Sequence, residues 1–527
     1  MTIPANRPAL PFTQALLAML GISLVLMLAA LDQTVIGNAL PHIVADLNGF
    51  DFYAWIGTGY LLTSIVTIPI FGRMGDYYGR KPFVIAATLI FTLASLACAL
   101  ASDMRFLVAA RALQGVGGGM LIGTAFACVP DLFPDTRQRL RWQVLLSAAF
   151  SVVNALGPSL GGFLTGYYGW RFVFYLNLPL GLLALFFAWR YLPWYRPETS
   201  KPISLDWFGA LLIAITLGSL QLFVEWLPRA GAGGAVLLMG GASLGAAALL
   251  WWWERRAPAP LMPPALFAVK GLRTLFGLSV MVGSVMFALL FYMPLLFQGS
   301  YGYSPQDAGV LITPMVLSIT LGAIVNSRVI SRLRNPNWLP RAGFIALLLA
   351  CVGLSLCGRE ASFGLLLGLM LLAGMGLGFI LLNLTLFTQT LAERRHLGIA
   401  TALLQSLRLV GGLLGTAGMG TLTTFLYRRE LERSFAELDQ SSALSMFSDP
   451  QVLLKAVPAG IDPQLVDAAR EALTHAISVG LGGAVLIAAV SLWNLWRMSP
   501  VALFSPSGSP QSAKVAGESG MKRPEAE

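Results

Sequence analysis

The chain has 527 residues, of which 56% are apolar and only 11% are charged, with a formal net charge of +10 at neutral pH. A soluble domain carries about a quarter charged residues, so this composition excludes an ordinary water-soluble enzyme and describes a polytopic membrane protein. The positive charge does not signal a nucleic-acid partner, because Lys and Arg are scattered through short loops and are not gathered on one domain.

Apolar segments long enough to cross a ~30 Å hydrocarbon core are predicted near residues 14–40, 52–71, 83–102, 105–129, 142–166, 172–193, 206–228, 234–253, 273–298, 305–327, 339–357, 361–387, 397–427 and 471–497. The expected class is therefore an all-α bundle of about fourteen transmembrane helices. The first segment is too long for a signal-peptide core and lacks a small-residue cleavage site, so it reads as a retained span. With the N-terminus in the cytoplasm, roughly 24 of the 35 Lys and Arg fall on the cytoplasmic side and about nine outside. Both termini are thus expected inside, across a bacterial cytoplasmic (inner) membrane. Most of the outer basic residues belong to one long loop, 428–470, which ends in the helix-forming stretch PQLVDAAREALTHA (463–476). The tail after Pro500 is rich in Ser, Gly, Pro and charge and reads as a disordered extension, 501–527. Cys98, Cys128, Cys351 and Cys357 lie in apolar segments without ligand spacing and read as small core residues.

The stretch Leu31 to Pro41, LDQTVIGNALP, puts the carboxylate of Asp32 inside the first span, and an ionisable group at membrane depth is a functional hypothesis by default. Asp32 lies ~12 Å from the outer edge and Arg111, in the fourth span, ~9 Å from it, so the two can meet. An unpaired charge there costs at least ~2.5 kcal/mol, and Arg111 is the mid-helix cation of the first half. The expected role is a proton switch in which Asp32 exchanges a proton for Arg111; a static structural pair is the alternative.

The fourth span reads LQGVGGGML (113–121) and the twelfth LAGMGLGFI (372–380), so that three glycines coincide, and both run on to a charged loop. The helix after each loop carries a polar residue three positions before a glycine-rich run, Asn154 before GPSLGG (157–162) and Arg408 before GGLLGT (411–416). Two matches in the same order suggest two homologous halves. The expected organisation is a bundle over 1–200, two inserted helices over 201–260 and a second bundle over 261–500.

Between spans two and three stands GRMGDYYGRK (Gly72 to Lys81), in which Gly72, Asp76, Gly79, Arg80 and Lys81 form a regular pattern of glycines around charges. This loop resembles the signature of the major facilitator superfamily. LDQTVIGNALP (31–41), RALQGVGGG (111–119), and GPSLGG (157–162) followed by GWRFVFYLNLPLG (169–181) narrow the resemblance to the fourteen-helix drug/proton antiporter family, over the chain to about residue 500. Departures are Val144 and Val153 at positions where that family's antiporter motif has glycines, and Tyr77 where many members have a basic residue. The second copy of the loop, NSRVISRLRNPN (326–337), keeps charge without glycines. The resemblance implies two six-helix bundles plus two extra helices and efflux of drugs and toxic metabolites against protons. It also implies a gating role for the loop and an antiporter motif at Gly157, Pro158, Gly161 and Gly162. Some members in double-membraned bacteria work with a periplasmic adaptor protein, which 428–470 could contact.

Arg408, with Gln405 one turn before it on the same face, is the mid-helix cation of the second half. With Asn154 it is expected either to bind substrate or to join the halves. Met286 and Phe291 are candidates for an adaptable apolar pocket, with lipid-facing packing as the alternative. Trp251 to Trp253, before Glu254, Arg255 and Arg256, read as an interfacial belt. Nothing resembles an ATP-binding loop, no cofactor is implied, and His42, His396 and His475 are scattered, which argues against a membrane enzyme. The expected function is proton-coupled efflux of small lipophilic or amphipathic compounds by alternating access, with an uptake symporter on the same fold as the competing reading.

Overall fold

In lipid a backbone must satisfy its own hydrogen bonds, and every regular element described in this chain is helical. The computed structural model describes residues 11–47, 53–133, 135–194, 206–230, 233–258, 260–303, 305–393, 396–437, 447, 453 and 462–501. The predicted disordered tail beyond Val501 lies outside the described residues. In chain order the described helices are α1 (Phe12–Leu47), α2 (Tyr53–Tyr78), α3 (Lys81–Ala99), α4 (Met104–Leu132), α5 (Thr136–Tyr168), α6 (Arg171–Tyr175), α7 (Asn177–Tyr191), α8 (Trp207–Ala230), α9 (Gly234–Glu254), α10 (Pro264–Ala268), α11 (Lys270–Leu295), α12 (Pro305–Val329), α13 (Trp338–Leu356), α14 (Phe363–Leu391), α15 (Leu397–Glu437) and α16 (Pro463–Trp496).

Short polar residues start several of these helices. Asp103 accepts from the Phe106 amide at 2.9 Å to open α4, Asp135 from Gln138 at 2.9 Å to open α5, and Ser362 from Leu365 at 3.3 Å to open α14. The break between α6 and α7 has a covalent cause: Pro179 has no N–H to return to the Tyr175 carbonyl, where α6 stops. The pair α6–α7 therefore makes one span. With α10 a single turn, the described helices supply one membrane-length unit for each of the fourteen predicted segments. Among the described residues, eleven helical stretches are long and apolar enough to cross a membrane, and Trp207–Phe223 of α8 is a shorter apolar one.

The internal repetition reappears as packing. In the first half α1 packs on α5 and α7, α2 on α4, and α3 on α4 and α7; in the second α11 packs on α15 and α16, α12 on α14, and α13 on α14 and α16. The three coinciding glycines show why the sequence repeats. A Cβ on Gly115 or Gly119 would collide with the α2 backbone at Tyr60 and Ser64, and one on Gly374 or Gly378 would collide with the α12 backbone at Met315 and Ile319. The glycine between them points to the remaining neighbour in each half, Gly117 to Phe91 of α3 and Gly376 to Gly343 of α13. Close backbone approach of this kind is how membrane helices associate without a hydrophobic driving force between them.

Each half has its own core. The second half is built around residues such as Leu289, Met293, Phe344, Phe387 and Leu473. The first half holds one cluster around Phe91, Met120 and Ala184 and another around Val35, Leu107 and Phe174. The inserted pair α8–α9 has a small core of its own, Ala210, Leu212, Ile213, Leu250 and Leu261, and α8 touches both α2 and α15.

Two expectations are modified. Trp251 and Trp252 are exposed and lie under Arg255 and Arg256 at 4.7 and 4.1 Å, as an interfacial belt would have them. Trp253 instead donates its indole N–H to Asp206 at 2.9 Å, and Glu254 is buried and accepts from the Met262 amide at 3.0 Å, so these two tie α9 to the chain on either side of the pair. The stretch 428–470 is also less loop-like than predicted. α15 continues to Glu437 and α16 begins at Pro463. At ~1.5 Å per residue both overrun a ~30 Å core, at the end away from Gly72–Lys81. Phe435 and Leu431 of the α15 extension pack with Phe447 and Leu453 in the second-half core, and the Tyr427 hydroxyl donates to the Phe447 carbonyl at 2.8 Å.

Candidate functional site

Asp32 on α1 and Arg111 on α4 both point into one buried site of the first half. Arg111 Nη1 donates to Asp32 Oδ2 at 2.6 Å, and each side chain is 1% exposed. Four further groups complete the site. Arg111 Nη1 also donates to Gln114 Oε1 at 2.7 Å and its Nε to the Ile56 carbonyl at 3.2 Å. Gln114 Nε2 donates to Asp32 Oδ1 at 2.8 Å, and Asn177 Nδ2 reaches the same oxygen at 3.3 Å and Ser95 Oγ at 3.0 Å. The guanidinium carbon lies 4.5 Å from the centre of the Tyr60 ring and 5.9 Å from that of Phe174. Among the described residues, every spanning unit of the first half except α5 therefore contributes an atom.

This geometry can do something specific. A buried ion pair holds only while both partners are charged, and removing one charge leaves the other uncompensated at a cost of about 3–5 kcal/mol. Arginine does not release its proton, so only Asp32 can switch the pair. Protonation of Asp32 would leave Arg111 with Gln114, Ile56 and the Tyr60 face, and would loosen α1 from α4.

Gln114, Asn177 and Ser95 are absent from the sequence prediction of this site. Gln114 stands one turn after Arg111, and a polar residue three positions from a buried cation was a readable sign. Asn177 stands at the α6–α7 break, a second readable sign, because a broken helix at membrane depth is tolerated only where it faces protein or a cavity.

Of the predicted antiporter motif, Gly157 and Gly161 are buried, and a Cβ on Gly161 would strike the α1 backbone at Val35, three residues after Asp32. The motif thus lies against the helix that carries the carboxylate. The side-chain positions of Asn154, Pro158 and Gly162 lie outside the described residues.

The stretch Gly72–Lys81, predicted as a loop, is helical through Tyr78 as the end of α2, and only Gly79 and Arg80 turn the chain into α3; it forms a second centre, at one end of the bundle. Asp76 accepts from the Gly398 and Ile399 amides at 2.8 and 2.9 Å, at the N-terminus of α15 in the other half. A carboxylate on free helix-end amides satisfies donors that the helix cannot, and it is favoured by the helix dipole. Arg80 braces it, donating to Asp76 at 2.8 Å and to Asp131 through its other terminal nitrogen. Gly79 has φ of +84°, which lets the chain turn into α3. Gly72 leaves room for Ala402, since a Cβ there would collide with that methyl. Lys81 shares a small cleft with Arg80 and Asp131. Near this end Gln143 of α5 donates to Gln389 of α14 at 2.7 Å, and Ser406 of α15 donates to the Ile65 carbonyl of α2 at 3.3 Å. These polar contacts close the two halves on each other on the side of the loop.

The remaining predicted residues belong to the second half. Gln405 is 2% exposed and its Oε1 has no hydrogen-bond partner; Arg408 is half-buried and its Nε is buried without one. Met286 is buried in the second-half core. Phe291 is 63% exposed, with its ring stacked 6.4 Å from that of Phe287. The structure brings together Asp32 with Arg111 and joins Asp76 to α15, and it keeps Arg408 apart from both clusters.

Comparison with known proteins agrees with this architecture. The sequence profile of the Major Facilitator Superfamily matches residues 22–416. The chain is 29% identical over 485 residues to Multidrug resistance protein 3 of Bacillus subtilis (strain 168), covering 90% of this chain and 94% of that protein. It is 27% identical over 530 residues to Multidrug transporter protein MdtP of the same organism, covering 96% of each. Among solved structures, the human organic anion transporter MFSD10 (TETRAN) superposes with a TM-score of 0.60 at 16% identity, over 91% of this chain and 100% of that one, a likeness of fold.

Proposed function

The chain belongs to the major facilitator superfamily, and from that premise we propose that it is a proton-coupled exporter of small lipophilic or amphipathic compounds. It works by alternating access between its two halves, in a bacterial inner membrane, with the Gly72–Lys81 loop on the cytoplasmic side. Its relatives are named as multidrug transporters. The observation that carries the coupling is the buried Asp32–Arg111 pair, 2.6 Å long and held by four hydrogen bonds to three further groups.

In this reading the present arrangement is closed to the cytoplasm, with Asp76 fastened to the Gly398 and Ile399 amides in the first turn of α15. A proton entering from outside neutralises Asp32 and frees Arg111, and α1 then moves against α4 and, through Gly161, against α5. The halves rock, the two Asp76 bonds break, and the cavity opens inward. There Asp32 releases its proton, compound is taken up, and re-formation of the ion pair favours return. Alternation of two rigid bodies around a central site is the general mode of such two-half carriers.

The test is transport into everted vesicles, where export appears as accumulation. Ethidium, chloramphenicol and 2-naphthoate supply a cation, a neutral compound and an anion. We expect an acid-inside gradient to drive accumulation of at least one of them in the parent protein. Asp32→Asn is expected to lose the gradient-driven component while keeping gradient-independent exchange. Full gradient-driven accumulation by Asp32→Asn at normal expression would defeat the coupling role. Accumulation in right-side-out vesicles alone would identify an uptake symporter instead.

A further inference from the structure

The two halves treat their buried arginines in opposite ways. Arg111 has a carboxylate, an amide oxygen, a backbone carbonyl and an aromatic face. Arg408 lies eleven residues into α15, ~17 Å along the helix and so near the middle of a ~30 Å core. Among the described residues its guanidinium has no ion pair and no hydrogen bond, and its Nε is buried. A guanidinium does not discharge itself by losing a proton, so the positive charge persists and its buried Nε lacks an acceptor until one is supplied. One turn earlier the buried Gln405 also carries an unpartnered Oε1. The two groups flank the same helical face and neither is satisfied by the protein.

A structural role in joining the halves does not account for Arg408. The polar link from α15 to the first half at this depth is Ser406 Oγ to the Ile65 carbonyl, and Arg408 takes no part in it. What lies beside Arg408 on α11 is an aromatic lane. Gly283 packs against the Arg408 backbone, Phe287 against Gly412 one turn further on, and Phe291 continues the row with its ring stacked on Phe287. Positions 283, 287 and 291 recur every four residues and share one face of α11. The row runs away from the closed end, from the Arg408 backbone to a phenyl ring that is 63% exposed.

We propose that Arg408, assisted by Gln405, is the binding site for an anionic group on the transported compound. The substrates of this protein then include small aromatic acids that are ionised at neutral pH. The anion sits on the guanidinium, the Gln405 amide takes a neighbouring polar group through whichever of its ends is turned inward, and the rings lie along Phe287 and Phe291. The assignment deepens the efflux reading and rests on it for the word transported; the binding site itself does not.

Three ligands with one ring system and different charge test it on the purified full-length protein in a neutral detergent: 2-naphthoate, 2-naphthamide and 2-naphthylmethylammonium, followed by titration calorimetry. A charge-assisted hydrogen bond predicts that naphthoate binds about tenfold or more tighter than naphthamide, with the ammonium compound weakest. Arg408→Gln should abolish the advantage of the acid while leaving naphthamide within about threefold, and Arg408→Lys should restore some of it. Equal binding of acid and amide by the parent protein overturns the proposal. So does an unchanged acid-to-amide ratio in Arg408→Gln, or an equal loss of both ligands, which marks a structural role. If Arg408→Gln fails to fold, the parent ratio and Arg408→Lys decide. A charge-selective site in a protein that moves none of the three vesicle compounds would leave this inference standing and remove the efflux reading. Gradient-driven export without charge selectivity would do the reverse.

Discussion

Removing the charges at Asp32 and Arg111 one at a time and then together should give a stability order that only a desolvated ion pair produces. Asp32→Asn leaves a guanidinium at 1% exposure with Gln114 Oε1, the Ile56 carbonyl and the Tyr60 face, three of its native partners. Its cost should therefore fall near the low end of the about 3–5 kcal/mol for breaking a buried pair, and it should be flat with pH. Arg111→Met leaves a carboxylate with two amide donors, Gln114 Nε2 and Asn177 Nδ2. That carboxylate loses its counter-charge at a site 1% exposed, so Arg111→Met should cost the upper part of the same range. Combining the two substitutions removes both charges, and the double variant should be more stable at pH 8 than Arg111→Met alone, by about 2 kcal/mol or more. The measurement is intrinsic-fluorescence unfolding of the four proteins in one detergent between pH 6 and pH 8. If the double variant falls by the sum of the two single losses at every pH, the pair is not coupled and the account of the site is wrong.

Other expectations concern packing and gating. Gly115→Ala would drive a methyl into the Tyr60 backbone, and overpacking of that kind should cost about 1–3 kcal/mol in thermal scans, whereas Gly277→Ala, which meets open space, should be within about 0.5 kcal/mol of the parent. A cysteine pair replacing Gln143 and Gln389, whose side chains meet at 2.7 Å, should be cross-linked rapidly by a short bifunctional thiol reagent and arrest transport in vesicles. Adding Asp76→Ala to that pair should slow the cross-linking, because the two amide bonds that hold the halves together there are gone; an unchanged rate would show that Asp76 does not favour the closed arrangement. Asn177→Leu withdraws one donor from Asp32 and one from Ser95, and should lower unfolding stability by about 1–3 kcal/mol.

The spans were legible because an apolar run of membrane length has few alternatives, and the halves because close helix packing forces glycine at matching positions, Gly115 with Gly374 and Gly119 with Gly378. The proximity of Asp32 and Arg111 was legible from depth alone, since a charge in hydrocarbon demands a partner. Gln114 and Asn177 were signalled only by position, one turn after Arg111 and at the α6–α7 break, and Ser95 not at all, because an uncharged polar side chain in a membrane helix can satisfy itself on its own backbone, as Thr88 does on the Val84 carbonyl at 2.7 Å. The extension of α15 was hidden for a related reason. YRRELERSFAE (427–437) is as charged as a loop, but Glu430 and Arg433 stand three apart at 3.6 Å on one helical face while Leu431 and Phe435 are buried on another. Hydropathy averages such a segment away. Trp253 looked like its two neighbours because nothing local distinguishes an indole that anchors in lipid headgroups from one whose N–H is claimed by Asp206, 47 positions away.

α15 is a single uninterrupted rod that holds the Asp76 contact near its first residues, the unpaired Arg408 further along, and Phe435 under the outer extension. It can serve as a lever. If the second half pivots near Arg408 by on the order of 10°, Gly398 moves about 3 Å and Ala436 about 7 Å. The short arm travels far enough to break both hydrogen bonds to Asp76, and the long arm more than doubles that displacement on the far side of the membrane. A spin label at the exposed Ala436, measured against a second label on the outer end of α3, would therefore register the inner latch from outside the cell.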